Sequence, residues 1–137
     1  MLNDFISLFF PDLCLACGEP LNKSEKFICT RCEFHLPKTN FHSDSENPVA
    51  QLFWGKFELE AASSLYYFQK ESKVQHLIHA LKYKGHHKLG VFIGNNYGLT
   101  LKDADLFENI DFIIPVPLHK KKLRKRGYNQ SEAFAKG

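Results

Sequence analysis

The amino-acid sequence predicts an α/β protein in two parts, a small cysteine-rich unit over residues 1–45 and a larger, incomplete domain over residues 46–137. All four cysteines lie in the first part and none in the second. In the second part, an apolar run rich in β-branched residues, Ile110–Pro117, lies between two helical patterns. A short apolar run flanked by helices is typical of a strand in a buried parallel sheet. The polar segment His42–Pro48 is predicted to be a linker or a long turn between the two parts.

Composition excludes several classes of protein. The 137 residues are 44% apolar and 14% aromatic, which excludes a disordered, collagen-like or coiled-coil chain. No apolar run approaches the roughly 20 residues that a membrane-spanning helix needs. We therefore expect no membrane span.

The N-terminal segment predicts a short amphipathic helix that docks on the rest of the protein. Its apolar residues share one helical face, and they are Leu2, Phe5, Ile6, Phe9 and Phe10. A secretory signal would begin with basic residues and carry a longer apolar core, whereas the first charge here is Asp4 and Pro11 ends the run. A membrane-surface helix is disfavoured because cationic flanks are absent. We therefore expect a cytoplasmic protein whose thiols stay reduced.

The cysteines form two CxxC pairs separated by eleven residues, at Cys14, Cys17, Cys29 and Cys32. Each pair can clasp a metal ion from a tight turn, and together the four sulfurs form the tetrahedral set that structural zinc prefers. We expect a structural role because four ligands leave no open position, and because so small a unit cannot fold on its own core. Two disulfides, an iron–sulfur site and a redox-active pair are the alternatives. Such a zinc ribbon would brace its neighbour or bind nucleic acid or protein.

Hydrophobic periodicity predicts two helices and a strand in the middle of the chain. The first helix begins near Ser72, ends before Gly85, and places its apolar residues at helical spacing: Val74, Leu77, Ile78 and Leu81. The second helix covers Leu89–Leu101, and its glycines recur every fourth residue for close packing: Gly90, Gly94 and Gly98. Leu65–Phe68 is predicted to be a strand that precedes both helices.

Positive charge is concentrated after Ile110–Pro117. From Leu118 to Gly137, seven basic residues accompany one acidic residue, a net charge of +6, while the remainder of the chain has 11 basic and 14 acidic residues, a net charge of −3. Ligands of open α/β sheets bind beyond the carboxyl ends of strands, so we expect a basic loop over His119–Gly127 that binds a phosphate or a polyanion. Asn129 is predicted to begin a further helix, whose N-terminus favours anions. A solvated lysine-rich loop is the alternative, and no nucleotide-binding glycine pattern is present.

The predicted sheet is incomplete within these residues. A buried parallel strand needs neighbours on both sides and helices on both faces, yet the sequence shows one such strand and only a short helix after Asn129. We expect the chain to be the front part of a longer protein. A partner that completes the sheet and a natural short form are the alternatives.

Three motifs in this order resemble the ComF competence family. They are the double CxxC of the first part, then Leu81–Gly85 (LKYKG), then Pro115–His119 (PVPLH) followed by Leu123–Gln130 (LRKRGYNQ). The last string is highly specific, and the motifs together cover nearly the whole chain. The resemblance implies a zinc ribbon joined to a type I phosphoribosyltransferase-like domain. It also implies a role in natural transformation, after DNA has entered the cytoplasm as a single strand.

The resemblance also implies the residues of the site. Phosphate or pyrophosphate, as part of phosphoribosyl pyrophosphate, would be bound by Pro117, His119, Lys122, Arg124, Arg126, Asn129 and Gln130. Substrate or DNA would be contacted by Lys82, Tyr83, Lys84 and Tyr128. Simple solvent exposure is the alternative for the lysines and His119, and packing of the loop is the alternative for Tyr128. Mg²⁺ would accompany phosphoribosyl pyrophosphate in the full-length protein.

One motif of the family is absent from the sequence. It consists of two acidic residues followed by a Thr-Gly-Thr-like loop, and it binds the ribose and the 5-phosphate. We therefore expect no transferase activity from these 137 residues alone. The alternative function is a non-catalytic zinc-ribbon module that binds single-stranded DNA or a partner protein, such as a DNA-uptake protein, with aromatic side chains stacked on the bases.

Overall fold

A computed structural model describes residues 10–83, 85–104, 107 and 110–137. This part of the chain is mostly helical, with a 3₁₀ turn at Phe41–Ser43 and the helices α1 (Thr30–His35), α2 (Pro48–Gln51), α3 (Lys73–Tyr83), α4 (His87–Lys102), α5 (Lys120–Arg126) and α6 (Gln130–Lys136). The predicted N-terminal helix, except for Phe10, and Lys84 lie outside the described residues. Of the helices that are described, none is long and apolar enough to cross a membrane.

An apolar cluster joins the cysteine-rich unit to helices α3 and α4. Its buried members are Cys14, Ala16, Ile28, Cys32 and Leu36 from the first unit and Val74, Leu77, Ala80, Leu89 and Ile93 from the two helices. The rings of Phe27 and Phe92 pack across the same boundary, with their centroids 5.7 Å apart. Burial of this apolar surface is the main favourable contribution to folding. The division of the chain at residue 45 stays a prediction.

The two helices predicted from periodicity are confirmed. Helix α3 begins after Ser72, whose hydroxyl accepts a hydrogen bond from the N–H of Gln75 at 3.4 Å. It ends shortly before Gly85, which has a φ of +70°. Helix α4 extends the predicted segment at both ends, and its buried residues Leu89 and Ile93 face the core from successive turns.

Gly90 and Gly94 allow α4 and α6 to pack closely, as their spacing predicts. A Cβ atom on Gly94 would lie 2.0 Å from the carbonyl oxygen of Phe134. A Cβ atom on Gly90 would lie 3.0 Å from the Cβ of Ala133. The backbones of the two helices therefore approach to a distance that a side chain at position 94 would prevent.

The predicted parallel sheet is not formed within the described residues. Ile110–Pro117 makes no strand pairing there, and its apolar side chains are exposed, Ile114 to 86%. Leu65–Phe68 makes an isolated bridge, between Tyr66 and Lys38. The physical reason is that a strand requires backbone hydrogen bonds from a neighbouring strand, and the described residues supply none for Ile110–Pro117. This part of the chain is thus helical rather than α/β.

The basic segment is helix α5, and the prediction of a loop is wrong. Lysine, arginine and leucine all favour helices, so the composition of the segment supports the observed structure. His119 begins the helix, because its Nδ1 accepts from the N–H of Lys121 at 3.3 Å. Gly127 ends it with a φ of +84°.

The segment predicted as a linker or long turn is an ordered turn around Asn47. This residue is only 1% exposed, and its amide NH₂ group donates to the carbonyls of Asp44 and Ala62, both at 2.7 Å. Its Oδ1 accepts from the N–H of Val49 at 2.9 Å, at the start of α2. A buried amide whose hydrogen bonds are satisfied in this way holds the turn in one conformation.

We expect Gly94→Ala to destabilise the protein by about 1–3 kcal/mol, because the added Cβ would force α4 and α6 apart. Gly98→Ala, one turn along the same helix face, is the matched control, since the nearest atom to its Cβ would be 4.0 Å away. The higher helix propensity of alanine should leave stability unchanged there or raise it by up to about 1 kcal/mol. Chemical denaturation followed by circular dichroism measures both effects. Equal effects of the two substitutions would contradict the close packing of α4 and α6.

Candidate metal centre and basic pocket

The four cysteines lie together, as the sequence predicts. Their sulfur atoms are all within 4.8 Å of one another, and the Sγ of Cys17 is 3.8 Å from that of Cys29. All four are free thiols, with Cys14 and Cys32 buried and Cys17 exposed. The cluster can therefore hold a metal ion through four sulfur ligands.

Two short turns of the backbone bring the sulfurs together. In the first pair, the carbonyl of Cys14 accepts from the N–H of Gly18, and the N–H of Cys14 donates to the carbonyl of Glu19, both at 2.8 Å. Gly18 has a φ of +81°, a conformation that glycine adopts without strain. In the second pair, Cys29 precedes α1 and Cys32 lies within its first turn, so the start of the helix determines their spacing.

Glu25 stabilises the approach to the second cysteine pair. Its carboxylate accepts from the N–H of Asn22 at 2.8 Å and from the N–H and hydroxyl of Thr30 at 2.7 and 2.8 Å. These hydrogen bonds, that from Asn22 foremost, lower the pKa of Glu25. Glu25 thus links Asn22 to Thr30 within the segment between the two cysteine pairs, a role that no motif in the sequence indicates.

The thiols of the cluster differ in how readily they lose a proton. Burial acts to raise the pKa of Cys14, but hydrogen bonds from backbone N–H groups, that of Cys29 foremost, outweigh it and lower the pKa to about 7. Burial, together with hydrogen bonds to the thiols of Cys17 and Cys29, raises the pKa of Cys32 to about 12. One thiol therefore ionises readily while another keeps its proton. A metal ion would displace the remaining protons and neutralise the negative charge that results.

Hydrogen bonds attach the metal centre to helices α3 and α4. The Nδ1 of His76, on α3, donates to the carbonyl of Ala16 between the first two cysteines, at 2.9 Å. The amide of Asn96, on α4, donates to the carboxylate of Glu33 beside Cys32, also at 2.9 Å. Both helices are therefore linked to the cysteine-rich unit by a side-chain hydrogen bond.

A second candidate site is a basic pocket between the end of α3 and one face of α5. It has a volume of about 590 Å³ and is lined by Lys82, Tyr83, Gly85, Leu118, Lys122, Lys125, Arg126 and Gln130. Of the three cations from α5, Lys125 and Arg126 lie three and four positions after Lys122, so all three share one helix face. Within the described part of the chain, Lys136 pairs with Glu132 at 2.8 Å, whereas the four cations of the pocket pair with no carboxylate. The pocket therefore has the charge to bind a polyanion.

The pocket brings together only some of the predicted site residues. Those it contains are Lys82, Tyr83, Lys122, Arg126 and Gln130. Those that do not line it are Pro117, His119, Arg124, Asn129 and Tyr128, while Lys84 lies outside the described residues. Lys125 lines the pocket and was not predicted. Its spacing of three from Lys122 identifies it once the basic segment is treated as a helix.

Several predicted residues outside the pocket have structural roles instead. Asn129 begins α6, since its Oδ1 accepts from the N–H of Ser131 at 3.0 Å. Its Nδ2 also donates to the carbonyl of Val116 at 2.9 Å, which attaches the extended segment to the start of α6. His119 begins α5, and Arg124 lies on the face of α5 that points away from the pocket.

Three side chains near the start of α6 bind the last carbonyls of α3. The Nε of Arg126 donates to the carbonyl of Lys82 at 3.0 Å. The carbonyl of Leu81 accepts from the Nε2 of Gln130 at 3.3 Å and from the hydroxyl of Tyr128. A further hydrogen bond links Arg126 Nη1 to Gln130 Oε1. We call Arg126, Tyr128 and Gln130 the α3 clamp.

No family model matches the chain, and no curated protein or solved structure matches it. The resemblance to the ComF family is therefore carried by the sequence motifs alone. The cysteine cluster and the basic pocket supply the physical basis for a function.

We expect about one metal ion per chain, zinc being the ion that four thiolates favour, in protein purified under reducing conditions. Cys32→Ser replaces a buried ligand with a hydroxyl, so the metal content should fall close to zero and the unfolding temperature should fall with it. Arg31→Ala changes an exposed neighbour in the same turn and should retain the metal. Elemental analysis by mass spectrometry and a thermal unfolding curve provide the measurements. Metal-free protein with two disulfides would contradict the metal centre.

Proposed function

We propose that this protein is a ComF-type member of the phosphoribosyltransferase family whose basic pocket binds the pyrophosphate group of phosphoribosyl pyrophosphate. The observation that carries the proposal is the convergence of two motifs. Lys82 and Tyr83 line one pocket with Lys122 and Arg126, although the two pairs are far apart along the chain. No local pattern requires these residues to meet, so their convergence supports a shared ligand.

The charge of the pocket supports a small polyanion as that ligand. Lysine and arginine both bind phosphate oxygens through charged hydrogen-bond donors. Three cations approach from α5 and Lys82 approaches from the end of α3, so a bound anion would be contacted from two sides. In this reaction class a nucleophile displaces pyrophosphate from the anomeric carbon of the sugar. The cations would position the leaving group and neutralise its charge.

The cysteine cluster would hold a structural zinc ion in the same protein. Four thiolates complete a tetrahedral shell, which leaves no position for a substrate. Cys14 and Cys32 belong to the same apolar cluster as the buried face of α3. The ion would therefore brace the helix that supplies Lys82 to the pocket.

The extended segment Ile110–Pro117 would be a strand of the phosphoribosyltransferase-like sheet. Its apolar side chains are exposed, as expected for a strand that has no neighbouring strand. Together with α4 and α6, they border an apolar groove of about 730 Å³. Strands from outside the 137 residues would pair with it. In that full-length protein, Mg²⁺ and the rest of phosphoribosyl pyrophosphate would complete the site. We place this activity in the cytoplasm, in DNA uptake during natural transformation, with single-stranded DNA and DNA-uptake proteins as partners.

A second function, binding of single-stranded DNA by a non-catalytic module, is favoured by the outer face of α5. Lys120, Lys121 and Arg124 are exposed and do not line the pocket. Proteins that bind single strands combine cations along the phosphate backbone with aromatic rings that stack on bases. The two functions use different faces of the same short helix, which makes them separable.

We expect inorganic pyrophosphate to bind the 137-residue chain. The double substitution Lys122→Ala with Lys125→Ala should weaken this binding by at least about tenfold, because a hydrogen bond to a charged group contributes about 1.5–3 kcal/mol. Lys121→Ala with Arg124→Ala is the matched control, since it removes the same charge from the outer face of the same helix. Its affinity should stay within about twofold of the wild type, because these two side chains do not line the pocket and salt screens their charges from a ligand bound there. Isothermal titration calorimetry measures both. Equal weakening by the two pairs would indicate unspecific attraction and contradict the pocket.

The same variants test the second function with a fluorescent oligothymidylate. If the outer face binds single-stranded DNA, the Lys121 and Arg124 substitutions should weaken binding more than the pocket pair. They should also make the dependence of affinity on salt less steep, because fewer counterions are released. Fluorescence anisotropy at several salt concentrations measures this. Salt-independent binding, or no binding, by the wild-type protein rules this function out.

A further inference from the structure

The α3 clamp binds backbone oxygens at the border of the basic pocket. The carbonyl of Leu81 accepts from Tyr128 and Gln130, and the carbonyl of Lys82 accepts from Arg126. Both carbonyls belong to the last turn of α3, and Lys82 itself lines the pocket. The clamp therefore acts on the one part of α3 that an anion in the pocket would approach.

Free carbonyl oxygens at this place would oppose the binding of an anion. The last four carbonyls of a helix have no partner within the helix, and the helix dipole places partial negative charge at the same end. Helix α3 ends at Tyr83, so its negative end borders the pocket. Hydrogen bonds from the clamp occupy two of these carbonyls and reduce their repulsion of a ligand.

We propose that Tyr128 and Gln130 are positioning residues of the pocket. By holding the carbonyl of Leu81, they orient the end of α3. In this orientation Lys82 faces the cations of α5 across a bound pyrophosphate. The inference rests on the proposed function of the pocket and adds a role for these two side chains. They shape the site, whereas the cations contact the ligand.

The contacts of Tyr128 support this role over stacking on a base. Its hydroxyl donates to Leu81, and its ring packs against that of His87 with centroids 5.8 Å apart. Burial raises the pKa of Tyr128 against the opposing effect of Arg126, so the hydroxyl keeps its proton and can donate. Gly127, with its φ of +84°, ends α5 between Arg126 and Tyr128, and both of these residues bind carbonyls of α3.

Tyr128→Phe tests the inference, because it removes the hydroxyl and leaves the ring in place. We expect it to weaken pyrophosphate binding about fivefold, the net effect of one hydrogen bond. The dependence of affinity on salt should not change, since no charge is lost, whereas the Lys122 and Lys125 substitutions should make it shallower. Gln130→Met, of similar length, is a second variant and should act in the same direction as Tyr128→Phe.

A double-mutant cycle separates positioning from a general effect on stability. If the clamp orients Lys82, then Tyr128→Phe should weaken binding much less in a Lys82→Ala protein than in the wild type. A merely structural role would lower the unfolding temperature and leave the affinity of the folded protein unchanged. Unchanged affinity in both clamp variants, together with weaker binding in the lysine pair, would overturn the inference and retain the pocket. Absence of pyrophosphate binding by the wild-type chain would overturn both.

Discussion

Helix α3 packs directly on the cysteine cluster, and both candidate sites depend on that contact. Val74, Leu77 and Ala80 are buried in the same apolar cluster as Cys14 and Cys32. So small a unit has too few apolar residues for a core of its own, and buried cysteines pack as small hydrophobic residues as well as serving as metal ligands. The cysteine-rich unit and α3 therefore share one core.

The opposite end of the same helix forms one wall of the basic pocket. Helix α3 has 11 residues, and at about 1.5 Å per residue its two ends are roughly 15 Å apart. A hydrogen-bonded helix is rigid over that distance, so a displacement at the end near Ala16 moves Lys82 at the other. A metal ion on the cysteines and the clamp on Leu81 would thus hold the two ends of one element. This arrangement gives a physical reason for a metal centre and an anion pocket to occur together.

What the sequence predicts correctly depends on residues close together along the chain. The CxxC spacing, the periodicity of α3 and α4 and the repeat of Gly90 and Gly94 are local patterns with a direct geometric meaning. The pairing of Ile110–Pro117 depends on other strands, and no local pattern specifies them. The charge of the basic segment suggests a solvated loop, but lysine, arginine and leucine favour helices, and the segment is a helix. A spacing of three residues places Lys125 beside Lys122 only if the segment is a helix.

The helical form of the basic segment itself favours an anionic ligand. Six of the seven residues of α5 are cationic, and like charges four positions apart repel each other by about 0.2–0.5 kcal/mol per pair. Cations in the last turn of a helix are favoured by its dipole, but Lys120 and Lys121 lie in the first turn, where they are not. A polyanion bound in the pocket would replace the repulsion among Lys122, Lys125 and Arg126 with attraction. A ligand that binds only the folded form stabilises that form. The positive charge that destabilises α5 without a ligand would therefore contribute to stability when an anion is bound in the pocket.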